Sequence, residues 1–255
     1  ENQTQYGGKS AFPASLYLHR VGPLWYVWPA MMEGFEQRLQ MIMVQLPPFI
    51  LAVVVHEFGH GWIASYWGDK TAKEQGRLTL NPIPHLDPIG TVLFPLINMI
   101  SGINLLFGWA RPVPIDPKRF RQYRPGLFWV SFAGPGMNFI LAVVSAAVFC
   151  AIDKWVPQDF YLYEPLTAMA YVSVPVNFAL GIFNLIPLPP LDGSKMVESF
   201  LSYNATKKYE SIAQYSFYIL LALMFTGAFR ILSIPIEFFK NLTFWFMMNV
   251  FSFLP

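Results

Sequence analysis

Charged residues are scarce in this chain of 255 residues: Lys, Arg, Asp and Glu make up 13% of it, about half of their share in an average soluble domain. Hydrophobic residues make up 55% and aromatic residues 17%, and the mean hydropathy is positive at +0.41. This composition excludes an ordinary soluble domain and indicates a polytopic membrane protein. The net charge of +2 is too small to indicate a nucleic-acid partner.

Cysteine and histidine are also rare. The single cysteine, Cys150, lies in an apolar run, which excludes an intramolecular disulfide framework and a zinc site built from cysteines. The four histidines are His19, His56, His60 and His85. They are too few for the several histidine boxes that a di-iron hydroxylase or desaturase needs.

The apolar stretch of residues 41–67 contains a His-Glu-Phe-Gly-His motif at residues 56–60. On a helix, positions i and i+4 share a face, so His56 and His60 can bind one metal ion while Glu57 points towards the water bound to it. This is the geometry of zinc hydrolases. Ionisable residues inside a segment long enough to cross a bilayer are costly unless they serve a site. The motif therefore predicts a zinc hydrolase within the membrane rather than a chance match.

A catalytic zinc ion commonly takes three protein ligands and leaves one position for water, so a third ligand is needed. Asp192 follows three prolines that stop a helix, and Gly193 after it permits a close backbone approach. Asp192 is therefore the preferred third ligand, presented from extended backbone. His85, in a proline-containing loop, stays open as a ligand or as a structural or gating residue.

Further apolar stretches occupy residues 86–107, 127–152, 166–186 and 211–235, and residues 237–255 predict a weaker last span or an interfacial helix. Basic loops around Lys73 and Arg121 flank residues 86–107. A full crossing would put these loops on opposite sides, against the positive-inside tendency, so we predict a re-entrant segment there and place both loops in the cytoplasm. Residues 77–81 alternate polar and apolar side chains, which predicts a short strand.

The predicted fold is an all-α polytopic membrane protein: a helical bundle with a short membrane-associated β element and a re-entrant segment. Residues 1–40 are expected to form an N-terminal tail and an interfacial segment. Residues 41–208 are expected to form the catalytic transmembrane core. Residues 209–255 are expected to form C-terminal transmembrane or interfacial helices.

Two further motifs follow the first in order: Gly-Pro-Gly-Met-Asn at residues 134–138 and Asn-Leu-Ile-Pro-Leu-Pro-Pro-Leu-Asp-Gly at residues 184–193. Together the three motifs resemble those of the site-2 protease family of intramembrane zinc metalloproteases. The resemblance implies that His56, His60 and Asp192 bind one zinc ion, that Glu57 activates water, and that Asn184 helps to hold the substrate backbone. The loop of residues 153–164 is too short for the PDZ domain of many bacterial members, so the resemblance is to a compact, PDZ-less branch.

We therefore expect a zinc metalloprotease that cleaves peptide bonds within or near transmembrane segments of other proteins. Its partners would be those substrates and the lipid bilayer, and its location the bacterial inner (cytoplasmic) membrane. We expect substrate contact from Asn184 and Asn138, and from Leu78 and Leu80 on the predicted strand, which would pair with an unwound substrate. The alternative is a catalytically silent scaffold or metal-binding protein with this fold. Such a protein would lack Glu57 or Asp192, and both are present.

Overall fold

The structure is a computed structural model that describes residues 35–93 and 110–254. The predicted N-terminal interfacial segment and most of the predicted re-entrant segment lie outside these residues. Within the described ranges the regular structure is helical, which confirms the predicted class. The helices are α1 (Phe35–Trp67), α2 (Thr71–Glu74), α3 (Tyr123–Trp155), α4 (Tyr163–Asn184), α5 (Asp192–Glu198), α6 (Tyr203–Glu210), α7 (Ala213–Phe225) and α8 (Ser233–Ser252).

Three helices of the described chain are long and apolar enough to cross a membrane: the Leu39–Trp67 part of α1, α3 and α4. The shortest, α4, has 22 residues, about 33 Å at 1.5 Å per residue, which matches a hydrocarbon core about 30 Å thick. Prolines lie inside all three helices without ending them. Such prolines are tolerated in membranes where neighbouring groups satisfy the freed backbone carbonyls. This arrangement agrees with the prediction of a multi-pass membrane protein.

The chain leaves α1 and enters α3 at the same end of the two helices. The Arg121 backbone N–H donates to the Trp67 carbonyl at 2.8 Å. The buried Asp69 carboxylate accepts from the Asp116 amide at 2.7 Å, and Arg119 pairs with Glu74 at 3.0 Å. The loop that follows α1 and the residues that lead into α3 therefore lie beside each other. Of the predicted re-entrant segment, only residues 86–93 are described, and they include a π-helical turn over Pro88–Leu93.

The structure corrects the prediction of a strand at residues 77–81: the described residues contain no strand, and this segment is irregular. Local side-chain bonds compete with strand pairing here. The Asn81 N–H donates to Thr79 Oγ at 3.1 Å, and the Ile83 N–H donates to Asn81 Oδ1 at 3.1 Å. Residues 110–116, near the site, are irregular too: the amides of Val113 and Asp116 donate to the side chains of Glu57 and Asp69, and the Arg111 amide donates to the His85 carbonyl.

The predicted span at residues 211–235 is also not a single helix. Helix α7 has 13 residues, about 20 Å, which is too short to cross a bilayer. It is followed by Gly227 with a left-handed φ of +71° and a 3-10 turn over Ala228–Leu232, after which α8 begins. The left-handed backbone at Gly227 separates the two helices because a regular helix cannot continue through it.

Helix α8 packs lengthwise against α3 and α4. Its phenylalanines meet Phe178 of α4, Phe149 of α3 and Trp155 at the end of α3, with ring centroids 5.8, 5.3 and 5.5 Å apart. Small residues at the α3–α4 contact, Ala142 and Ala146, are completely buried. Small side chains let helices approach closely in a membrane, where packing rather than the hydrophobic effect drives association.

Candidate metal centre

Helices α1 and α5 bring three of the predicted site residues together. The Oδ2 atom of Asp192 lies 3.1 Å from His56 Nε2 and 3.3 Å from His60 Nε2, and the two Nε2 atoms are 3.1 Å apart. Among the described residues, these three form the group able to hold a metal ion. The i and i+4 spacing therefore aims both imidazoles at one point, as the motif predicts.

The site lies inside the helical bundle. His56 is 8% and His60 7% exposed. His60 stands roughly two turns, about 10 Å, before the end of α1 at Trp67. The metal group therefore lies near the end of α1 that carries the basic loops, within the apolar part of the helix.

Hydrogen bonds fix which nitrogen of each imidazole faces Asp192. His60 Nδ1 lies 2.7 Å from the Val130 carbonyl oxygen, which can only accept, so Nδ1 carries the hydrogen. His56 Nδ1 donates in the same way to Asn138 Oδ1 at 2.6 Å. In the neutral imidazoles each Nε2 then presents a lone pair, the form that binds a metal ion.

The residues fit a zinc ion by the chemistry of their donor atoms. Asp192 Oδ2 is buried and has no hydrogen-bond donor, although both imidazoles lie within ion-pair distance. With both imidazoles neutral and each hydrogen on Nδ1, three electron-pair donors face one another with no hydrogen between them. A cation relieves this repulsion, and two imidazole nitrogens with one carboxylate oxygen are a ligand set of catalytic zinc.

Glycine at position 134 lets α3 pass directly beside the imidazoles. A Cβ there would lie 2.6 Å from His56 Nε2 and closer still to His60 Nε2. A Cβ on Gly59 of α1 would lie 2.9 Å from the Ala133 carbonyl oxygen. These two glycines allow the helices to approach closely enough for Val130 and Asn138 to reach the histidines.

Asp192 is the first residue of α5, so the structure corrects our expectation of extended backbone at that position. A Cβ on Gly193 would lie 2.6 Å from the Ile186 carbonyl oxygen, which explains the glycine after the aspartate. The Tyr209 hydroxyl donates to the Pro187 carbonyl at 2.7 Å. Burial and the nearby Glu198 carboxylate raise the pKa of Tyr209, which keeps the hydroxyl protonated as this donor.

Contacts at the end of α5 tie it to the start of α3. The Tyr123 hydroxyl donates to Glu198 at 3.3 Å, and Lys195 donates to the same carboxylate at 2.7 Å. Arg124 donates to the Leu201 carbonyl at 3.0 Å. The helix that begins with Asp192 is therefore held against α3, which supplies the Val130 and Asn138 contacts to the histidines.

Glu57 stays outside the metal group and is held by backbone. Its Oε2 atom accepts a hydrogen bond of 2.7 Å from the Val113 N–H in the irregular segment of residues 110–116. Arg77 fixes this segment by donating to the carbonyls of Arg111 at 2.8 Å and Pro112 at 3.2 Å. Nothing in the sequence pattern indicated this contact, because it joins a side chain to a backbone amide 56 positions away.

His85, the open alternative for the third ligand, lies outside the metal group. It is 1% exposed, and its Nε2 donates to the Thr79 carbonyl at 2.9 Å. Its own carbonyl accepts from the Arg111 amide at 2.9 Å. In this structure His85 connects the loop after α2 to the segment that holds Glu57.

The residues predicted to contact substrate have different surroundings. Asn138 is completely buried and bonded to protein on every side, so here it orients His56. Asn184 is half-buried and, among the described residues, donates to the Leu180 carbonyl of its own helix at 3.0 Å. Leu78 packs against Gly61 of α1: a Cβ added to Gly61 would lie 3.2 Å from the Leu78 Cδ1 atom. Leu80 is 56% exposed.

The chain is similar to known peptidases in sequence. The model of Peptidase family M50 matches residues 158–227. Several relatives carry names that begin "Putative zinc metalloprotease", among them the following two. YwhC of Bacillus subtilis (strain 168) is 36% identical over 178 residues, 69% of this chain and 78% of that protein. Rip2 of Mycolicibacterium smegmatis is 28% identical over 199 residues, 78% of this chain and 70% of that protein. No solved structure matches.

Proposed function

Because the chain belongs to peptidase family M50, the site-2 protease family of intramembrane zinc metalloproteases, we propose that His56, His60 and Asp192 bind its catalytic zinc ion and that Glu57 is its general base. The observation that supports this assignment is the convergence of three electron-pair donors at one buried point. We further propose residues 41–208 as the catalytic transmembrane core, residues 1–40 as an N-terminal tail and interfacial segment, and residues 209–255 as C-terminal transmembrane or interfacial helices.

When bound, zinc supplies a Lewis acid that polarises the scissile carbonyl and lowers the pKa of water towards neutrality. Glu57 accepts a proton from the attacking water and delivers it to the amine that leaves. The Val113 N–H holds the Glu57 carboxylate in place for both transfers. Asn138 and Val130 keep the two imidazoles in the required tautomer throughout the reaction.

Substrates are proposed to be transmembrane segments that unwind locally, since hydrogen bonding in a helix shields its peptide bonds. We assign backbone contact to Asn184, whose side-chain oxygen is not used by its bond to Leu180. Leu80 is exposed and suits an apolar substrate side chain, with Leu78 beside it. We assign Asn138 to the orientation of His56, because it is completely buried and its amide already bonds His56, Ala52 and Asn177.

We place the protein in the bacterial inner (cytoplasmic) membrane, with the connected loops of residues 68–77 and 117–122 in the cytoplasm. The positive-inside tendency supports this orientation, because these loops hold several Lys and Arg residues. It puts the metal group near the cytoplasmic face, about two helical turns from the end of α1.

The test is cleavage of a panel of single-span membrane proteins by the purified full chain. Wild type should cleave at least one, a chelator should stop cleavage and added zinc should restore it. Glu57→Gln should keep its zinc and retain bound substrate but cleave at least about a hundredfold more slowly, since general-base catalysis contributes that much. Glu74→Gln is the matched control, because that carboxylate is 58% exposed on α2 and pairs only with Arg119.

Cleavage that persists in Glu57→Gln would show that this residue is not the base. Loss of zinc from the same variant would show that it is a ligand. Cleavage that continues in excess chelator would contradict the assignment of a zinc centre.

A further inference from the structure

A chain of hydrogen-bonded side chains runs from the metal group into the contact between α3 and α4. Asn138 receives the hydrogen of His56 Nδ1 and donates from Nδ2 to Asn177 Oδ1 at 2.9 Å. Asn177 Nδ2 donates to the Ser173 carbonyl at 2.8 Å and to Ser173 Oγ at 3.1 Å, and Ser173 Oγ lies 2.7 Å from Ser145 Oγ. All of these residues are buried, and the two asparagines are 0% exposed.

The direction of donation along this chain is fixed at its far end. The Ser173 carbonyl can only accept, so the Asn177 amide must turn its NH₂ towards Ser173 and its oxygen towards Asn138. Asn138 must then turn its NH₂ towards Asn177 and towards the Ala52 carbonyl, 2.9 Å away. Its oxygen is left facing His56 Nδ1.

This direction determines the state of the metal ligand. With Asn138 Oδ1 as acceptor, His56 carries its hydrogen on Nδ1 and its lone pair on Nε2, which faces Asp192. If Asn138 turned over, its NH₂ would face Nδ1 and the imidazole hydrogen would move to Nε2, the atom that must bind the metal. Two buried acceptors oppose this turn: the Ala52 carbonyl of α1 and the Asn177 oxygen of α4.

We propose that Asn177 is a positioning residue for the metal centre: from a helix that supplies no ligand in our assignment, it fixes the orientation of Asn138 together with the Ala52 carbonyl, and thereby the Nε2 lone pair of His56. This inference rests on the proposed function, because it takes His56 as a zinc ligand. A purely structural Asn177 would only join α3 to α4. The two roles differ in what happens to zinc affinity in the folded protein.

The experiment compares Asn177→Leu and Asn177→Asp in the full chain. Leucine has a similar size but cannot accept from Asn138. A buried aspartic acid stays protonated because burial disfavours its charged form, so it can donate to Ser173 and accept from Asn138. Zinc affinity is measured by competition with a coloured chelator. The absorption spectrum of the Co²⁺-loaded protein reports the ligand geometry.

Asn177→Leu should bind zinc about tenfold more weakly, the lower end of the usual effect of removing a partner outside the ligands, and its Co²⁺ spectrum should shift. Asn177→Asp should restore both to within about twofold of wild type. Ser145→Ala is the matched control: it lies farther along the same chain, beyond the Ser173 carbonyl that fixes the direction, so its affinity should not change.

Equal zinc affinity and equal Co²⁺ spectra in wild type and Asn177→Leu would overturn the inference while leaving the zinc centre intact. Equal losses in Asn177→Leu and Ser145→Ala would overturn it too, because they would indicate only weakened helix packing. A wild type that binds no zinc would refute the proposed function instead. If Asn177→Leu does not fold, Asn177→Ala takes its place with the same expected loss.

Discussion

Replacing Gly134 by alanine should impair the metal centre while leaving the protein folded. The added Cβ would lie 2.6 Å from His56 Nε2 and closer still to His60 Nε2, whereas ordinary carbon contacts begin near 3.5 Å. The imidazoles or α3 must therefore move by about 1 Å. A misplacement of about that size in a catalytic site costs roughly a hundredfold in rate.

The same substitution makes two opposing contributions to the free energy of unfolding. Alanine is better than glycine inside a helix by roughly 0.5–1 kcal/mol, and overpacking costs about 1–3 kcal/mol. The net change should be a loss of at most about 2.5 kcal/mol, which most domains survive. We therefore expect a folded Gly134→Ala protein with weaker zinc binding and cleavage reduced about a hundredfold.

Gly136→Ala is the control within the same motif. A Cβ there would meet only the Phe132 ring, 3.3 Å away, and a side chain can shift to make room. Zinc content, cleavage rate and thermal unfolding should be measured on both variants. Gly136→Ala should resemble wild type in all three. Wild-type zinc affinity and cleavage in Gly134→Ala would refute the geometry of the centre described here.

Three further changes test other parts of the account. Asn184→Ala should raise KM several-fold at unchanged zinc content, because it removes the amide oxygen that the bond to Leu180 does not use and that we assign to the substrate backbone. An unchanged KM would show that Asn184 does not bind substrate. Arg77→Gln loosens the segment that holds Glu57, so kcat should fall several-fold in a peptide-cleavage assay while zinc content stays constant. In a Cys150→Ser background, cysteines at positions 73 and 121 should both resist an impermeant thiol reagent in intact cells and react after lysis. Labelling of one of them from outside would contradict their common location.

The residues of the metal group were predictable from the sequence because local rules determine their arrangement. Two histidines four apart on an apolar helix must share a face. Prolines followed by Asp192-Gly193 mark a place where a helix stops and a carboxylate can be presented. These signals required no knowledge of how the helices pack.

The rest of the centre depends on contacts between distant parts of the chain. The bond of Asn138 to His56 and that of the Val113 amide to Glu57 join positions 82 and 56 residues apart. The strand predicted at residues 77–81 was wrong because period-two patterning says nothing about whether a partner strand is present, and Thr79 and Asn81 form local bonds instead. The single span predicted at residues 211–235 was wrong because the hydrophobic pattern continues through Gly227, where the backbone is left-handed and the helix breaks.

The most direct test of the central claim is the zinc content per chain, measured by elemental analysis on folded wild type, Asp192→Ala and His85→Gln. Glutamine at position 85 keeps an N–H able to donate to the Thr79 carbonyl, so that variant should preserve the loop. If His56, His60 and Asp192 are the ligands, wild type and His85→Gln should hold about one zinc ion per chain and Asp192→Ala little. Full occupancy in Asp192→Ala, or loss of zinc only in His85→Gln, would contradict the assignment of His56, His60 and Asp192 as the ligands.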